Sequence, residues 1–593
     1  MLAFGALIDL SFAPLDPASP ARLRQSLPAI AGRVSVAGTD EAAVVHLADE
    51  RPLPFDAELP LRHGDLLVAG TVRIDARDDL RRALAPNAPH SLDDASDARL
   101  VALAYQTWGE RLAEHLLGDY AFVIWDRAQR RLIGARDPHG NRQLYWGQVG
   151  SRVAVGSAME TVRALPGISS ALHERALVEL LRVGWVLEPG RTVFREVHRL
   201  AAAHTVCFEG TAAPRQRRHW DFPVPDPIRY RRDGDYTAHF QDVLDAAVRD
   251  RLRGAGAAIL LSGGMDSPTL AVAARRVAPG VALRAFTFAH PTLAPSDDDT
   301  LAAAVAERLH LAQSILDLDE PASLAHLDEP SSLPEEPSDE ADLAGERACA
   351  RAVAAHAPIA IFGEDGDTLL HPPTLLGQLR TQPAREVAGS WLRYIVRTGR
   401  RPWVGLEWRE RLRRLRNRGA RETMPWLTHR AVQLAPAEEL PPSSHPLRPR
   451  SVRLLGSPQW DSLYVGVSPV TTLAPVLYTF PLVDPRVLAF AFAIPPVPWC
   501  QDKYLLRQSM RGELPEAVLA RPKTPLSGYI EARVAQWRAR GGAETPISER
   551  VTPWVDVDAV RQTLRSGAPY DVVDAWRVLQ LDRWLAREEH RRA

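Results

Sequence analysis

Leu260-Leu261-Ser262-Gly263-Gly264-Met265-Asp266-Ser267 decides how this chain is read. Before it runs an apolar, strand-like stretch, Ala257-Ala258-Ile259-Leu260-Leu261. After it runs a helix-like stretch from Pro268 to Val277, with proline at an early helical position and Gly280 just past the end. Strand, glycine turn and helix together turn backbone N–H groups and a helix N-terminus toward an anion. Gly263 and Gly264 have no Cβ, so the backbone there can approach a phosphate closely. Ser262 and Ser267 add hydroxyl donors. Asp266 is a poor phosphate ligand by itself and is expected to reach phosphate through Mg²⁺. No lysine follows the glycines, so this is not a Walker A loop.

Working outward, the signals alternate. Leu283 to Phe288 reads as a strand and Asp297 to His310 as a helix with Ser296 as its N-cap. Asp339 to Ala355 reads as another helix, and Ile359-Ala360-Ile361-Phe362 as a short buried strand. Such alternation predicts an α/β fold, a parallel sheet with helices on both faces. Ligands of these sheets sit at the carboxyl ends of strands, where Ser262 and Gly363 fall. The candidate nucleotide site is therefore Leu261, Ser262, Gly263, Gly264, Asp266, Ser267, Phe288 and Gly363. A second acidic cluster, Gly363-Glu364-Asp365-Gly366-Asp367, follows the short strand, and Asp266 with Asp367 is the candidate Mg²⁺ pair. A third cluster runs Asp502-Lys503-Tyr504-Leu505-Leu506-Arg507, then Arg521-Pro522-Lys523-Thr524-Pro525-Leu526.

The chain has 593 residues, 46% hydrophobic and 24% charged, with net charge −1. That bounds it to a soluble globular class with at least two domains, and gives no global pull toward nucleic acid or membrane. Cys207, Cys349 and Cys500 are too far apart for a metal spacing or a disulfide framework, which fits a cytoplasmic location. Of the 72 basic Lys and Arg residues only two are lysine, Lys503 and Lys523. Lysine is a compact charge that arginine cannot replace where several donors converge on one phosphate, so both are active-site candidates.

The N-terminal part reads as strands and turns: Leu66 to Ile74, a hairpin of Asp119–Trp125 and Arg131–Arg136, and helices at Arg77–Leu84 and Leu100–Leu117. Residues 211–235 are rich in Pro and Arg, a linker composition. From about 375 to 455 an insert carries dense arginine with Trp391, Trp403, Trp408 and Trp426 interleaved. It reads either as a solvated helical face with core aromatics or as a docking surface for a peptide or protein.

The order of parts resembles the glutamine-dependent asparagine synthetase family over nearly the whole chain. Gly118-Asp119-Tyr120-Ala121-Phe122, Trp125-Asp126, Ala135-Arg136-Asp137-Pro138-His139-Gly140 and Leu144-Tyr145 are similar to that family's glutaminase signatures. Ser262 to Ser267 matches its SGGxDS pyrophosphate loop, Gly363 to Asp367 its GEGADE slot, and Phe480-Pro481-Leu482-Val483-Asp484 its PFLD motif. Lys503 and Lys523 fall on its two lysine-bearing motifs. The resemblance implies an N-terminal Ntn-hydrolase-like α+β domain over 1–210, a linker over 211–235, and a doubly wound PP-loop ATPase domain over 236–593. It implies ATP and Mg²⁺ as cofactors, adenylation of a carboxylate, and release of pyrophosphate.

The departures narrow this further. Family glutaminases use a cysteine directly after the initiator Met, where this chain has Leu2, and no cysteine occurs before Cys207. The glutamine-holding NGE motif is replaced by Ala69-Gly70-Thr71. Without a thiolate there is no acyl acceptor, so this domain is expected to be a scaffold that makes no ammonia. Members that lost the cysteine include β-lactam synthetases and lasso peptide cyclases. Glu364, where β-lactam synthetases carry Tyr, and the Arg/Trp-rich insert make the chain most similar to a lasso peptide cyclase. That resemblance implies a core peptide as substrate, a leader peptidase as a candidate partner, and catalytic roles for Lys523, Glu364 and Lys503. A β-lactam synthetase-like small-molecule cyclase, an ammonia-using asparagine synthetase and a non-catalytic nucleotide-binding scaffold stay open as alternatives.

Overall fold

The computed structural model describes residues 2–51, 53–54, 58–88, 90–254, 256–320, 323–328, 333–364, 366–405, 424–435, 443–522 and 528–592. Its N-terminal part consists of two six-stranded antiparallel sheets laid face to face. In the first, Ala3–Asp9 pairs on one side with Ala42–Ala48 and on the other with Arg152–Gly156. In the second, Leu66–Ile74, Gly118–Asp126 and Arg131–Arg136 lie side by side. Side chains alternate between the two faces of a strand. Phe4, Ala6 and Ile8 therefore meet Leu67, Ala69, Val123 and Trp125 between the sheets.

Each outer face is covered by helices. Arg77–Leu84 and Asp97–Trp108 bury Leu80, Leu84, Leu100 and Val101 against the second sheet. The first sheet, through Leu7, Val45 and Ala154, is covered by Ser19–Gln25 and Met159–Arg163, and the same apolar cluster continues outward through Glu174–Val183 and three helices from the far end of the chain. These are Tyr529–Ala539, Val557–Ser566 and Pro569–Arg592, which contribute Trp537, Leu564, Trp576 and Trp584. The outcome is a four-layer αββα sandwich whose last layer is completed by residues more than three hundred positions downstream.

The second sheet system has five parallel strands. Their order is Ala312–Asp317, Ala282–Ala289, Gly256–Leu260, Ile359–Ile361, Leu477–Thr479. The first of these in sequence is the central one. Two strands are added to one side of it, and the chain then crosses back to add two on the other. The direction of winding reverses between Gly256–Leu260 and Ile359–Ile361, and a crevice opens there at the strands' carboxyl ends. Both faces of the sheet are covered, with Leu244, Val248, Leu270, Ala274, Val305, Val353 and Leu506 in one continuous core. This is the expected α/β fold: an Ntn-type sandwich followed by a doubly wound parallel sheet.

The two parts meet across a buried, charged seam. Arg136, fully buried, donates to the carbonyls of Gly140, Arg142 and Leu200, to the Gln143 side chain, and to Asp461 at 2.7 Å. Arg73 pairs with Asp75 and Asp119 and reaches Thr479 Oγ1 at 3.2 Å. From the other side, Arg251 pairs with Asp484 at 2.7 Å.

Several sequence expectations shift. The helix expected over Leu100–Leu117 runs over Asp97–Trp108 and then tightens to a 3-10 turn, because Gly109 takes φ 57°. The helix expected from Asp297 begins at Asp298, and Ser296 accepts a bond from Asp298 N at 3.3 Å without forming the N-cap. The helix expected from Asp339 begins at Leu343. The stretch read as a linker opens with an edge strand, Arg215–Arg218, paired to His204–Glu209. In the insert, Leu375–Thr381 and Ala384–Thr398 are helical, while Trp408 and the densest arginine run lie outside the described residues. Among the described residues no helix is long and apolar enough to cross a membrane.

Candidate active site

The glycine loop connects the central strand Gly256–Leu260 to the helix Asp266–Val277. Leu261 N–H still donates to Phe286 O at 2.7 Å, so the strand's pairing continues up to the loop. Beyond it the backbone donors are taken up by side chains. Ser262 N–H donates to Ser267 Oγ at 2.9 Å, Gly264 N–H to Ser262 Oγ at 3.3 Å, and Gly263 N–H to Asp298 Oδ2 at 3.1 Å. Asp298 Oδ1 in turn accepts from Arg521 Nη1 at 2.5 Å. A carboxylate held by a loop N–H and a guanidinium is in the environment an anion needs.

Two glycines are required by close approach. A Cβ at Gly363 would lie 2.7 Å from the Cα and N of Ser267. A Cβ at Gly366 would overlap the Asp266 carboxylate. The second acidic segment is thus pressed directly against the start of the loop helix, as the neighbouring strands Gly256–Leu260 and Ile359–Ile361 require.

Charged groups converge in the crevice. Lys503, at the start of the helix Tyr504–Ser509, places Nζ 2.7 Å from Asp266 Oδ2 and 3.2 Å from Asp367 Oδ1. Both Lys503 and Asp266 are largely buried, while Asp367 is half exposed. Glu364 reaches solvent at the mouth, yet protein packs around much of its carboxyl group. That desolvation, then the charges of Asp266 and Asp367, raises its pKa, and Lys503 acts in the opposite sense. Asp266 and Asp367 share one ammonium and offer oxygen-only donors, with Glu364 near enough to feel both charges. This donor set fits a hard divalent cation such as Mg²⁺.

The structure brings Leu261, Ser262, Gly263, Gly264, Asp266, Ser267, Gly363, Glu364, Asp367 and Lys503 to one place. Phe288 lies on the adjacent strand Ala282–Ala289, packed partly buried against the core. Lys523 and Asp365 lie outside the described residues. Asp298 and Arg521 were missed as site residues. In the sequence Asp298 is one residue of an expected helix and Arg521 one residue of the third cluster. Nothing in their spacing announces that they meet at Gly263.

The N-terminal sandwich lacks a reactive thiol. Cys207, Cys349 and Cys500 are all buried, and burial pushes the first two thiols up to about 11 and about 12 and raises the third. A thiol held that far above neutrality is not a nucleophilic thiolate. Ala69-Gly70-Thr71 lies inside the strand Leu66–Ile74, where Gly70 N–H donates to His46 Nε2 at 3.2 Å. His46 is fully buried, and burial brings its pKa down to about 3.

Comparison with known proteins adds two family matches. The family described as asparagine synthase matches residues 239–586, and the glutamine amidotransferase domain matches residues 43–220. Amidase chyE of Penicillium rubens is 32% identical over 180 residues, 30% of this chain and 26% of the amidase, so the chain spans about a quarter of that relative's length. A putative glutamine-hydrolysing asparagine synthetase of Mycobacterium bovis is 25% identical over 562 residues, 86% of this chain and 82% of its own. Among solved structures, the glutamine phosphoribosylpyrophosphate amidotransferase of B. subtilis in complex with ADP and GMP aligns at TM-score 0.28 and 10% identity. That alignment covers 54% of this chain and 91% of the amidotransferase.

Proposed function

Because this chain belongs to the asparagine synthase family, we propose that it is an ATP-dependent, AMP-forming carbon–nitrogen ligase, and specifically a lasso peptide macrolactam synthetase. Residues 236–593 would carry the ligase and residues 1–210 would serve as scaffold, joined through 211–235. The observation that carries the reading is the convergence of Lys503, Asp266, Asp367 and Glu364 at the reversal point of the sheet, in a chain whose three cysteines are all buried thiols.

In this reading the loop at Ser262–Ser267 holds the phosphates of ATP. Asp266 and Asp367 would hold Mg²⁺, which neutralises phosphate charge when bound. A side-chain carboxylate of an Asp or Glu in the core peptide attacks the α-phosphorus, and the bond to pyrophosphate breaks. Lys503 and Lys523 supply positive charge where pyrophosphate departs. The peptide's own N-terminal amine then attacks the activated carbonyl. The new C–N bond forms, the bond to AMP breaks, and the amine's proton passes to a base. We assign that role to Glu364, and its raised pKa supports the assignment, since a more basic carboxylate is a better proton acceptor. Holding amine and acyl group in one cavity removes the entropic cost of their encounter. The inert thiols support an amine carried by the substrate over ammonia released from glutamine.

Carboxylate-dependent exchange of labelled pyrophosphate into ATP tests this. Exchange with a core peptide bearing a free N-terminus, followed by loss of one water mass from the peptide, is the expected result. Exchange with free aspartate and not with peptide would replace this reading with an ammonia-using asparagine synthetase. Exchange with a small β-amino acid alone would point to a β-lactam synthetase-like cyclase. No exchange with any carboxylate would leave a nucleotide-binding scaffold.

A further inference from the structure

Lys503 projects from an unusual piece of backbone. Asp502 and Lys503 are consecutive and both left-handed, at φ 46° and φ 53°. Aspartate enters this region more readily than most side chains, but lysine does not, so the Lys503 conformation persists only where the surroundings impose it. The helix that follows holds one side of the turn. Tyr504 N–H donates to Gln501 O at 2.8 Å, and Arg507 Nε donates to Asp502 O at 2.9 Å.

The other side is held from a hundred residues away, by the segment leaving the helix Ala384–Thr398. Arg400 pairs with the Asp502 carboxylate. Trp403 N–H donates to Oε1 of Gln501, a buried side chain, at 3.0 Å. Tyr394, on the buried face of the same helix, packs edge-on to Tyr504 with ring centroids 6.2 Å apart. Three contacts from one segment of the insert therefore converge on Gln501, Asp502 and Tyr504, the residues on either side of Lys503.

We propose that Arg400 and Trp403 are positioning residues for the Lys503 ammonium: the insert clamps the left-handed turn and thereby sets how Lys503 reaches Asp266 and Asp367. The insert is thus coupled to the reacting centre through backbone conformation. Whatever shifts Arg400 relative to Asp502 shifts the ammonium. The link to catalysis rests on the ligase reading above, but the clamp itself does not.

The chain's own composition supplies an assay that is independent of activity. Lys503 and Lys523 are its only lysines. Peptide-resolved mass spectrometry after brief treatment with an amine-acetylating reagent can follow Lys503 with Lys523 as internal reference. In Arg400→Ala the Lys503/Lys523 labelling ratio should rise about two- to fivefold, the range that an exposed ion pair supplies. Trp403→Pro, which removes the backbone donor to Gln501, should raise it as well. Arg400→Lys, which keeps the charge, should restore the wild-type ratio. Pyrophosphate exchange in Arg400→Ala should show kcat falling with the KM for ATP unchanged, and recovery in Arg400→Lys. An unchanged labelling ratio in both Arg400→Ala and Trp403→Pro would overturn the clamp. So would equal acceleration at both lysines, which would mean general loosening. If the wild-type chain exchanges with no carboxylate, the ligase reading fails, while the labelling ratio still decides the clamp.

Discussion

Replacing Lys503 by Met is the sharpest probe of the crevice. Methionine keeps much of the side-chain length and removes the charge. At separations of 2.7 and 3.2 Å, and an effective dielectric of ~20, the ammonium attracts the two carboxylates by about 6 and 5 kcal/mol before desolvation is subtracted. Removing it takes that positive charge away from Asp266, Asp367 and Glu364. Two opposite effects follow. Mg²⁺ should bind more tightly in the absence of nucleotide, because a competing cation has gone. Exchange of pyrophosphate into ATP should slow by about 10²–10³, the usual cost of losing one preorganised donor to transition-state charge. Isothermal titration with Mg²⁺ reads the first effect and saturating-substrate exchange reads the second. A variant within about threefold of wild type in exchange rate would refute the role given to Lys503, since that is less than 1 kcal/mol of barrier. A faster variant, or one that binds Mg²⁺ more weakly, would refute the charge accounting itself.

Other outcomes follow from the same geometry. Asp266→Asn should abolish exchange while leaving the thermal midpoint close to wild type, as a melt and an exchange assay on one preparation will tell. Gly363→Ala drives a methyl group to 2.7 Å from the Ser267 backbone, so urea unfolding should show a loss of about 1–3 kcal/mol. Asp461→Ala strips the buried Arg136 of the one carboxylate it pairs with among the described residues. Loss of one partner of such a pair costs about 3–5 kcal/mol, with the lower end expected because Arg136 keeps four neutral acceptors. With Glu364 as base, kcat should rise as pH climbs through its raised pKa, and Glu364→Gln should flatten that limb. His46 gives the opposite kind of signal, in stability. Its folded pKa lies far below the unfolded value, so it contributes stability that is present above pH 6.5 and lost as pH falls toward about 3. His46→Asn should weaken that slope in an acid-unfolding series.

The glycine loop and its flanking elements were legible because the signal is local. Strand, turn and helix succeed one another within about twenty residues, and Leu66–Ile74 and the Gly118–Arg136 hairpin were equally plain from alternation. The acidic segment at Gly363 was legible for the same reason, since a short buried strand ends there. What could not be read was distance in three dimensions between residues far apart in sequence. Lys503 and Asp266 are separated by 237 positions, and only the crossing of the parallel sheet joins them. Asp298 and Arg521 are 223 positions apart and meet only because both reach over Gly263. Helix ends differ from expectation where a backbone feature overrides composition, as Gly109 does within the apolar run from Leu100.

The outer helical layer of the first sheet has a consequence for how the protein is made. On the ribosome, the strands Ala3–Asp9 and Arg152–Gly156 emerge long before the helices Tyr529–Ala539, Val557–Ser566 and Pro569–Arg592 that complete their apolar cluster. Until the last of these is released, the apolar face around Leu7, Val45 and Ala154 is only partly shielded. The nascent chain therefore carries part of that apolar cluster uncovered until late in its synthesis, and separating the two halves would expose it.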